Sequence, residues 1–370
     1  MKGVQKMNFN EISRLENKFE EFLKVYCKEQ REIILYGAGL GSDWAMRLLS
    51  NVKIKPSKIA AQQGEGGIRN NLKIISYDEL LREYNKKPVY IIIASPRYER
   101  EILENLSKDF DSKDIFSFEC ELYYSYIHNI SQFREWLREK EKELYKLYKK
   151  LEDNLSKKTL ENVLKGRISG NLQFFQEVFV QEQYFPKDII KLGSEEVFCD
   201  VGAFNGDTTK EFLEVTKGNY GKIYCFEPDK KACMDLINSI KSKNHIEIIQ
   251  KGAWDVRDSL YMEEDSKHGT SKVADVGNYI IDLAPIDECI QEGEKITYIK
   301  MDIEGAEVRA LQGAKRIICE NKPKLAICVY HKNEDFLDIP KLILSFVPEY
   351  KLYLRHHNVS GTETVLYAVL

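Results

Sequence analysis

Long apolar runs are missing from this chain, and no stretch approaches the ~20 residues needed to cross a bilayer. The N-terminus carries Glu and Lys at helical spacing instead of the apolar core of a signal peptide. Paired cysteines are missing too. The eight cysteines are scattered with no C-x-x-C, and Cys199, Cys225 and Cys328 fall inside apolar strand patterns, where a thiol packs as a small hydrophobe. A reducing cytoplasm is the expected setting, not a disulfide framework. Basic charge is not in excess either: the formal net charge of −4 leaves no electrostatic footprint for nucleic acid. What is present is 370 residues, 43% hydrophobic and 31% charged, an ordinary globular composition too long for one typical core. Two domains are expected.

The N-terminal part opens with an amphipathic helical pattern near residues 11–30. Ile33-Ile34-Leu35-Tyr36 then runs into Gly37-Ala38-Gly39-Leu40-Gly41, with a helical pattern continuing through Leu49. A second apolar run, Val89 to Ser95, is closed by Pro96. Together these predict a small Rossmann-like α/β domain over 1–125. Its glycine turn looks like a dinucleotide fingerprint, but the acid that should close the second strand is absent. That position reads Ile59-Ala60-Ala61-Gln62-Gln63-Gly64-Glu65, which removes the usual ribose anchor. Residues 126–190 form an expected helical connector, with Phe133, Trp136, Leu137, Leu144, Leu147 and Leu151 on one face.

Residues 191–370 alternate strand and helix, with strands expected at 196–201, 222–227, 246–250, 296–302 and 324–330. A closing hairpin, Tyr350 to Arg355 and Thr364 to Val369, would complete a seven-stranded, mostly parallel sheet of the class I methyltransferase type. The first of these strands ends in Asp200. Gly202-Ala203-Phe204-Asn205-Gly206 follows as a turn, and Asp207 and Thr208 open a helix. The second strand ends Phe226-Glu227-Pro228-Asp229. A glycine turn followed by an acid closing the next strand is how a doubly wound sheet holds an adenosine, with the carboxylate on the ribose hydroxyls. Acids flanking the turn suit a sulfonium and an ammonium better than phosphates, so S-adenosyl-L-methionine is favoured over a dinucleotide. A third turn, Gly252-Ala253-Trp254, would wall the adenine.

The fourth strand ends Lys300-Met301-Asp302-Ile303-Glu304-Gly305-Ala306-Glu307. Glu304 and Glu307 suit a helix N-terminus, but that does not explain Lys300 or Asp302 at the end of a buried strand. His331, His356 and His357 fall at the same expected edge, where they form an acid/base set opposite Asp302. Asp302, Glu304 and His331 could also hold a divalent ion, although no H-x-H or acid-pair spacing calls for a metal.

These motifs resemble the FkbM family of S-adenosylmethionine-dependent methyltransferases, from about Glu195 to the C-terminus. The resemblance is carried by Asp200 to Ala203 with Gly206 to Thr208, Phe226 to Pro228, Gly252 to Trp254, Lys300 to Glu307, Tyr330-His331 and Glu363 to Ala368. It implies O-methylation of a hydroxyl on a sugar, glycan or secondary metabolite. It also implies that Asp200, Gly202 and Glu227 contact the cofactor and that Asp302 lies near the methyl group. Asp302 with His331 or His356, and with Lys300 beside them, would orient and deprotonate the acceptor. A homo-oligomer is compatible with this reading. Two rivals stand beside it: a non-catalytic S-adenosylmethionine sensor, and a nicotinamide-dependent oxidoreductase using the Gly37 turn.

Overall fold

The computed structural model describes residues 7–62, 66–240, 244–265, 270–274 and 279–370. The chain divides into two compact units whose segments interleave. The first takes 1–145, 158–179 and 358–362, and the second 146–157, 180–357 and 363–370.

In the first unit a six-stranded sheet is built from β1 (Ile33–Tyr36), β2 (Lys58–Ala61), β3 (Ile68–Arg69), β4 (Leu72–Ser76), β5 (Tyr90–Ile93) and β6 (Ile115–Phe116). Its order is β3-β4-β2-β1-β5-β6, parallel except for the β3–β4 pair. β1 and β5 are buried at every residue, which is why their sequences read as unbroken apolar runs. The N-terminal helical pattern splits in two, Phe9–Ser13 and Lys18–Lys28, because Asn17 caps the second helix through the Glu20 N–H. After β1, Gly37 adopts φ +122° and the helix Leu40–Asn51 starts with no side-chain cap. Gln62, just past β2, accepts the Tyr36 hydroxyl at 2.7 Å. Gln63, Gly64 and Glu65, on which the expectation of a missing acid also rested, lie outside the described residues.

The second unit is centred on seven strands: β7 (Val197–Val201), β8 (Lys222–Phe226), β9 (Ile246–Ile249), β14 (Tyr298–Met301), β15 (Lys324–Cys328), β16 (Lys351–His356) and β17 (Thr364–Val369). They order as β16-β17-β15-β14-β7-β8-β9 with only β17 antiparallel, as the class I methyltransferase fold requires. Between β9 and β14 lies a small second sheet, β10 (Gly252–Ala253), β11 (Asp258–Asp265), β12 (Thr270–Ala274) and β13 (Tyr279–Ala284). No pattern in the chain announced this insertion.

An aromatic stack fixes the underside of β7 and β14. Phe198 lies 4.5 Å from Phe212 and 5.2 Å from Tyr298, and Phe185 packs edge-on against Tyr298 at 5.8 Å. Contacts of this kind add to the burial of the rings themselves. At the far side Arg355 of β16 is buried and satisfied by Asp153 at 2.6 Å and Asp188 at 2.7 Å, which ties the 146–157 segment to the sheet.

Asp200 and Lys300 are register partners on β7 and β14, and both are buried. The Lys300 Nζ lies 3.2 Å from Asp200 Oδ1 and donates to the Gly202 carbonyl at 2.7 Å, while Thr209 donates to Asp200 Oδ2 at 2.7 Å. Burial works against the lysine's charge, but Asp200 and Asp302 outweigh it and keep the ammonium. Lys300→Met would leave a buried carboxylate alone and is expected to cost about 3–5 kcal/mol in urea unfolding. Asp200→Asn added to it should recover most of that loss. A single-variant loss below about 1 kcal/mol would show that the pair does not hold these strands.

Candidate functional site

The carboxyl ends of β7, β8, β14 and β15 form one edge, where a doubly wound sheet binds its ligands. After β7 the backbone turns sharply, with Gly202 at φ +80° and Gly206 at φ +83°. A Cβ at Gly202 would sit 2.0 Å from the Asp302 carbonyl, so only glycine lets the two loops touch.

Most amides of this turn are spoken for. Gly202 and Ala203 both donate to the Phe226 carbonyl at 3.0 Å, Phe204 donates to Glu227 Oε2 at 2.9 Å, and Gly206 donates to Ala203 O at 2.8 Å. Asp207 N–H goes to Asn205 Oδ1 and Thr208 N–H to Asp207 Oδ1. A diphosphate bound here would therefore find few amide donors to replace its water. Glu227 also accepts the Asp229 N–H at 2.8 Å, and burial raises its pKa despite these bonds. Phe204 is half-exposed above it.

Gly252 and Ala253 pair with Leu283 and Ala284, and a Cβ on Gly252 would reach Pro228, so this turn lies beside the one after β8. Trp254 donates its N–H to Ala284 and packs on the Ile281–Leu283 cluster, with the Arg309 guanidinium 5.4 Å from its ring.

Around Asp302 the structure gathers groups from four segments. Tyr184 donates to Asp302 Oδ2 at 2.9 Å, and the Tyr330 hydroxyl lies 3.4 Å from Oδ1 and 3.2 Å from Glu363 Oε1. His331 Nε2 lies 3.5 Å from Asp302 and 3.7 Å from Glu304, and its Nδ1 lies 3.1 Å from the buried Glu307. Glu307 Oε1 in turn accepts the Ile303 N–H at 3.0 Å, and Lys332 Nζ donates to the Gly305 carbonyl, so the loop is tied at both ends.

Strain marks the same edge. Ten described residues other than glycine have positive φ, and four of them are Tyr184, Phe204, Glu304 and Glu363. Each such residue costs on the order of 1–3 kcal/mol, and such costs concentrate where function needs the geometry. Tyr184 is held there by its neighbours: its N–H goes to the Tyr367 hydroxyl at 3.1 Å, and its carbonyl accepts from the Tyr298 hydroxyl.

Several expectations need correction. His356 is buried with Nδ1 2.9 Å from the Thr364 hydroxyl, and His357 bonds Val180 O and the Tyr367 hydroxyl, so neither ring is placed against Asp302. His356 ends β16, three places from β14, and His357 follows it; among the described histidines only His331 reaches Asp302 within ion-pair distance. Lys300 does not face an acceptor either, because its ammonium is engaged by Asp200 and the Gly202 carbonyl. Asp200 is wholly buried and would act on a ligand only by holding that turn. Tyr184, Tyr330, Gln183 and Glu363 went unrecognised as site residues. Gln183 and Tyr184 stand in a Gln-Glu-Gln-Tyr-Phe-Pro run ahead of β7, while Tyr330 and Glu363 stand in motifs that carry the resemblance but were given no role.

Burial opposes the charge on His331, yet Glu307, Asp302 and Glu304 outweigh it and raise its pKa to about 10. An imidazolium at neutral pH has no lone pair to take a proton, which weighs against His331 as the resting base. Folding favours the protonated ring. Its contribution is complete below the unfolded value near 6.5 and is lost as pH rises through about 10. The melting temperature of the wild type is therefore expected to fall between pH 6.5 and 9 more steeply than that of His331→Gln. Parallel curves would contradict the ion-paired histidine.

Two surface clefts, of about 570 and 350 Å³, lie at the opposite edge of the sheet, lined by residues such as Asp287 and Arg316 or Thr297 and Lys324. They carry none of the groups just described. No helix of the described residues is long and apolar enough to cross a membrane.

Comparison with known proteins agrees with this geometry. Residues 200–358 match the family described as the methyltransferase FkbM domain. No curated protein matches the chain. Among solved structures, a methyltransferase FkbM from Methylobacillus flagellatus KT is 24% identical and covers 98% of this chain and 98% of its own, with a TM-score of 0.75. That likeness extends the shared fold over both units. A fibrillarin from Aeropyrum pernix, solved in complex with S-adenosyl-L-methionine, is 12% identical over 50% of this chain and 71% of its own, and its TM-score of 0.33 is too low to bear on fold or ligand. Motif, strand order and family match converge: residues 200–358 are similar to the methyltransferase FkbM domain, on a sheet of the matching strand order.

Proposed function

We propose that the second unit transfers a methyl group from S-adenosyl-L-methionine to a hydroxyl of a sugar, glycan or related secondary metabolite. The observation that carries the reading is the state of the turn after β7. Most of its amides are already bonded, and Glu227 stands just past the end of β8 with Asp229 beside it. Such a site suits a cationic ligand that brings ribose hydroxyls to a carboxylate, not a diphosphate that needs bare N–H groups. When bound, S-adenosyl-L-methionine supplies an electrophilic methyl group on a sulfonium.

The chain's own residues fit that group. Gly202 to Asn205 bring the backbone close, Glu227 takes the ribose hydroxyls, and Pro228 with Gly252 to Trp254 walls the base. Asp302 is the group placed to hold and deprotonate the acceptor hydroxyl, because it is partly exposed and keeps Tyr184 on its other oxygen. His331, as a cation between Asp302, Glu304 and Glu307, offsets their charge. Several hydroxyl and carboxylate groups on one edge suit a polyhydroxylated acceptor, which needs many directional bonds. Asp302, Glu307 and His331 also lie close enough to attract a divalent ion, but the proton-transfer role proposed for Asp302 needs none.

Calorimetry with S-adenosyl-L-methionine tests the first half. Glu227→Gln, which keeps the shape but removes the charge, is expected to weaken binding about 10–100-fold, from ~1.5–3 kcal/mol of charge-assisted hydrogen bonding. Unchanged affinity would take Glu227 out of the site. For the second half, Asp302→Asn should lower turnover with a hydroxylated acceptor by about 10²–10⁴ while cofactor affinity changes little. Wild-type turnover in that variant would assign the proton to another group.

A further inference from the structure

Glu363 sits in the turn that enters β17, with φ +65°, a conformation that a glutamate seldom adopts. Its carboxylate is held on one side by the Gln183 amide, which donates to Oε2 at 2.6 Å. On the other side the Tyr330 hydroxyl stands 3.2 Å from Oε1 and 3.4 Å from Asp302 Oδ1. A phenol has a single proton to donate. Tyr330 can therefore satisfy Asp302 or Glu363 at any moment, but not both. The second oxygen of Asp302 is occupied by Tyr184 at 2.9 Å, so Tyr330 is the bridge between the two acids.

We propose that Glu363 is a positioning residue that stores the proton collected by Asp302, receiving it through the Tyr330 hydroxyl. This rests on the methyl-transfer reading, in which Asp302 takes the proton of the acceptor. The acceptor O–H bond breaks and its proton goes to Asp302 Oδ1. Asp302 then returns that proton to the Tyr330 oxygen as Tyr330 gives its own to Glu363 Oε1. The result is a carboxylate at Asp302, a neutral tyrosine and a carboxylic acid at Glu363, with no net change of charge. The proton leaves Glu363 for water before the next turnover.

The surroundings of Glu363 favour this end state. Burial, with the nearby charge of Asp302 adding, raises its pKa to about 7, against which His331, Gln183 and Tyr330 act. Cys328 and Tyr184 also face it, and Asp302 and His331 are the charged groups around it. Asp302 is thus spared from holding the proton itself while the next acceptor binds.

The test uses the full chain with Glu363→Gln, Tyr330→Phe and the double variant. Carbon-13 spectra of carboxyl-labelled glutamate should show Glu363 titrating near neutral pH in the wild type, and Tyr330→Phe should move that midpoint. A midpoint in the ordinary carboxyl range, or one indifferent to Tyr330→Phe, would overturn the shared proton whether or not an acceptor is known. In turnover assays, Glu363→Gln is expected to lower kcat about 10–100-fold with KM and cofactor affinity within about twofold. Tyr330→Phe should do the same, and the double variant should be no worse than either single one. Wild-type kcat in Glu363→Gln, or losses that multiply in the double variant, would remove Glu363 from the path. A wild type that binds S-adenosyl-L-methionine and methylates no hydroxyl would defeat the methyl-transfer reading, leaving the spectra to decide on the proton.

Discussion

The buried pair of Asp200 and Lys300 is the constraint from which the carboxyl edge takes its shape. It joins two neighbouring central strands at their penultimate residues, and Lys300 reaches past Asp200 to the Gly202 carbonyl. That bond fixes where the chain leaves β7, and Gly202 then lies directly against the Asp302 carbonyl. The turn after β7 and the loop after β14 are thus parts of one rigid corner. Two charges buried without water are costly unless each is bonded on several sides. Thr209 and the Gly202 carbonyl supply those bonds here.

Above that corner the chain accepts strain in return for placement. Tyr184 is left-handed and gripped at both main-chain groups by Tyr298 and Tyr367, and its hydroxyl is thereby delivered to Asp302. Glu304 is left-handed in the loop that Glu307 ties, which carries its carboxylate to His331. Rigid neighbours hold each of these groups where free side chains would drift. The local excess of carboxylates raises the pKa of His331, and the proposed base role falls to Asp302 for that reason.

Much of the large sheet was legible because its central strands are buried on both faces and read as apolar runs closed by turn residues. Val197 to Val201 and Lys222 to Phe226 fell within a residue of expectation, and Glu227 stood where the next strand had to end. The smaller sheet of the first unit was less visible. β3 and β6 are two residues long, and β4 is only partly buried, too little pattern to announce a strand. The inserted sheet of β10 to β13 went unread for a similar reason: in β13 buried and open positions alternate, and β10 is a single pair. Lys300 was misplaced because strand register, not spacing, sets it beside Asp200. Tyr184 meets Asp302 across 118 residues, a contact that no local pattern carries.

The central claim is that a carboxylate edge with bonded amides receives an adenosine bearing a cationic methyl donor. A crystal structure of the full chain soaked with S-adenosylhomocysteine tests it most directly. The account predicts the ribose on Glu227, the base beside Trp254 and the sulfur facing Asp302, with the Gly37 turn unoccupied. An adenosine resting on the Gly37 turn, or a nucleotide diphosphate accepted at Gly202 to Gly206 in a parallel soak, would contradict it.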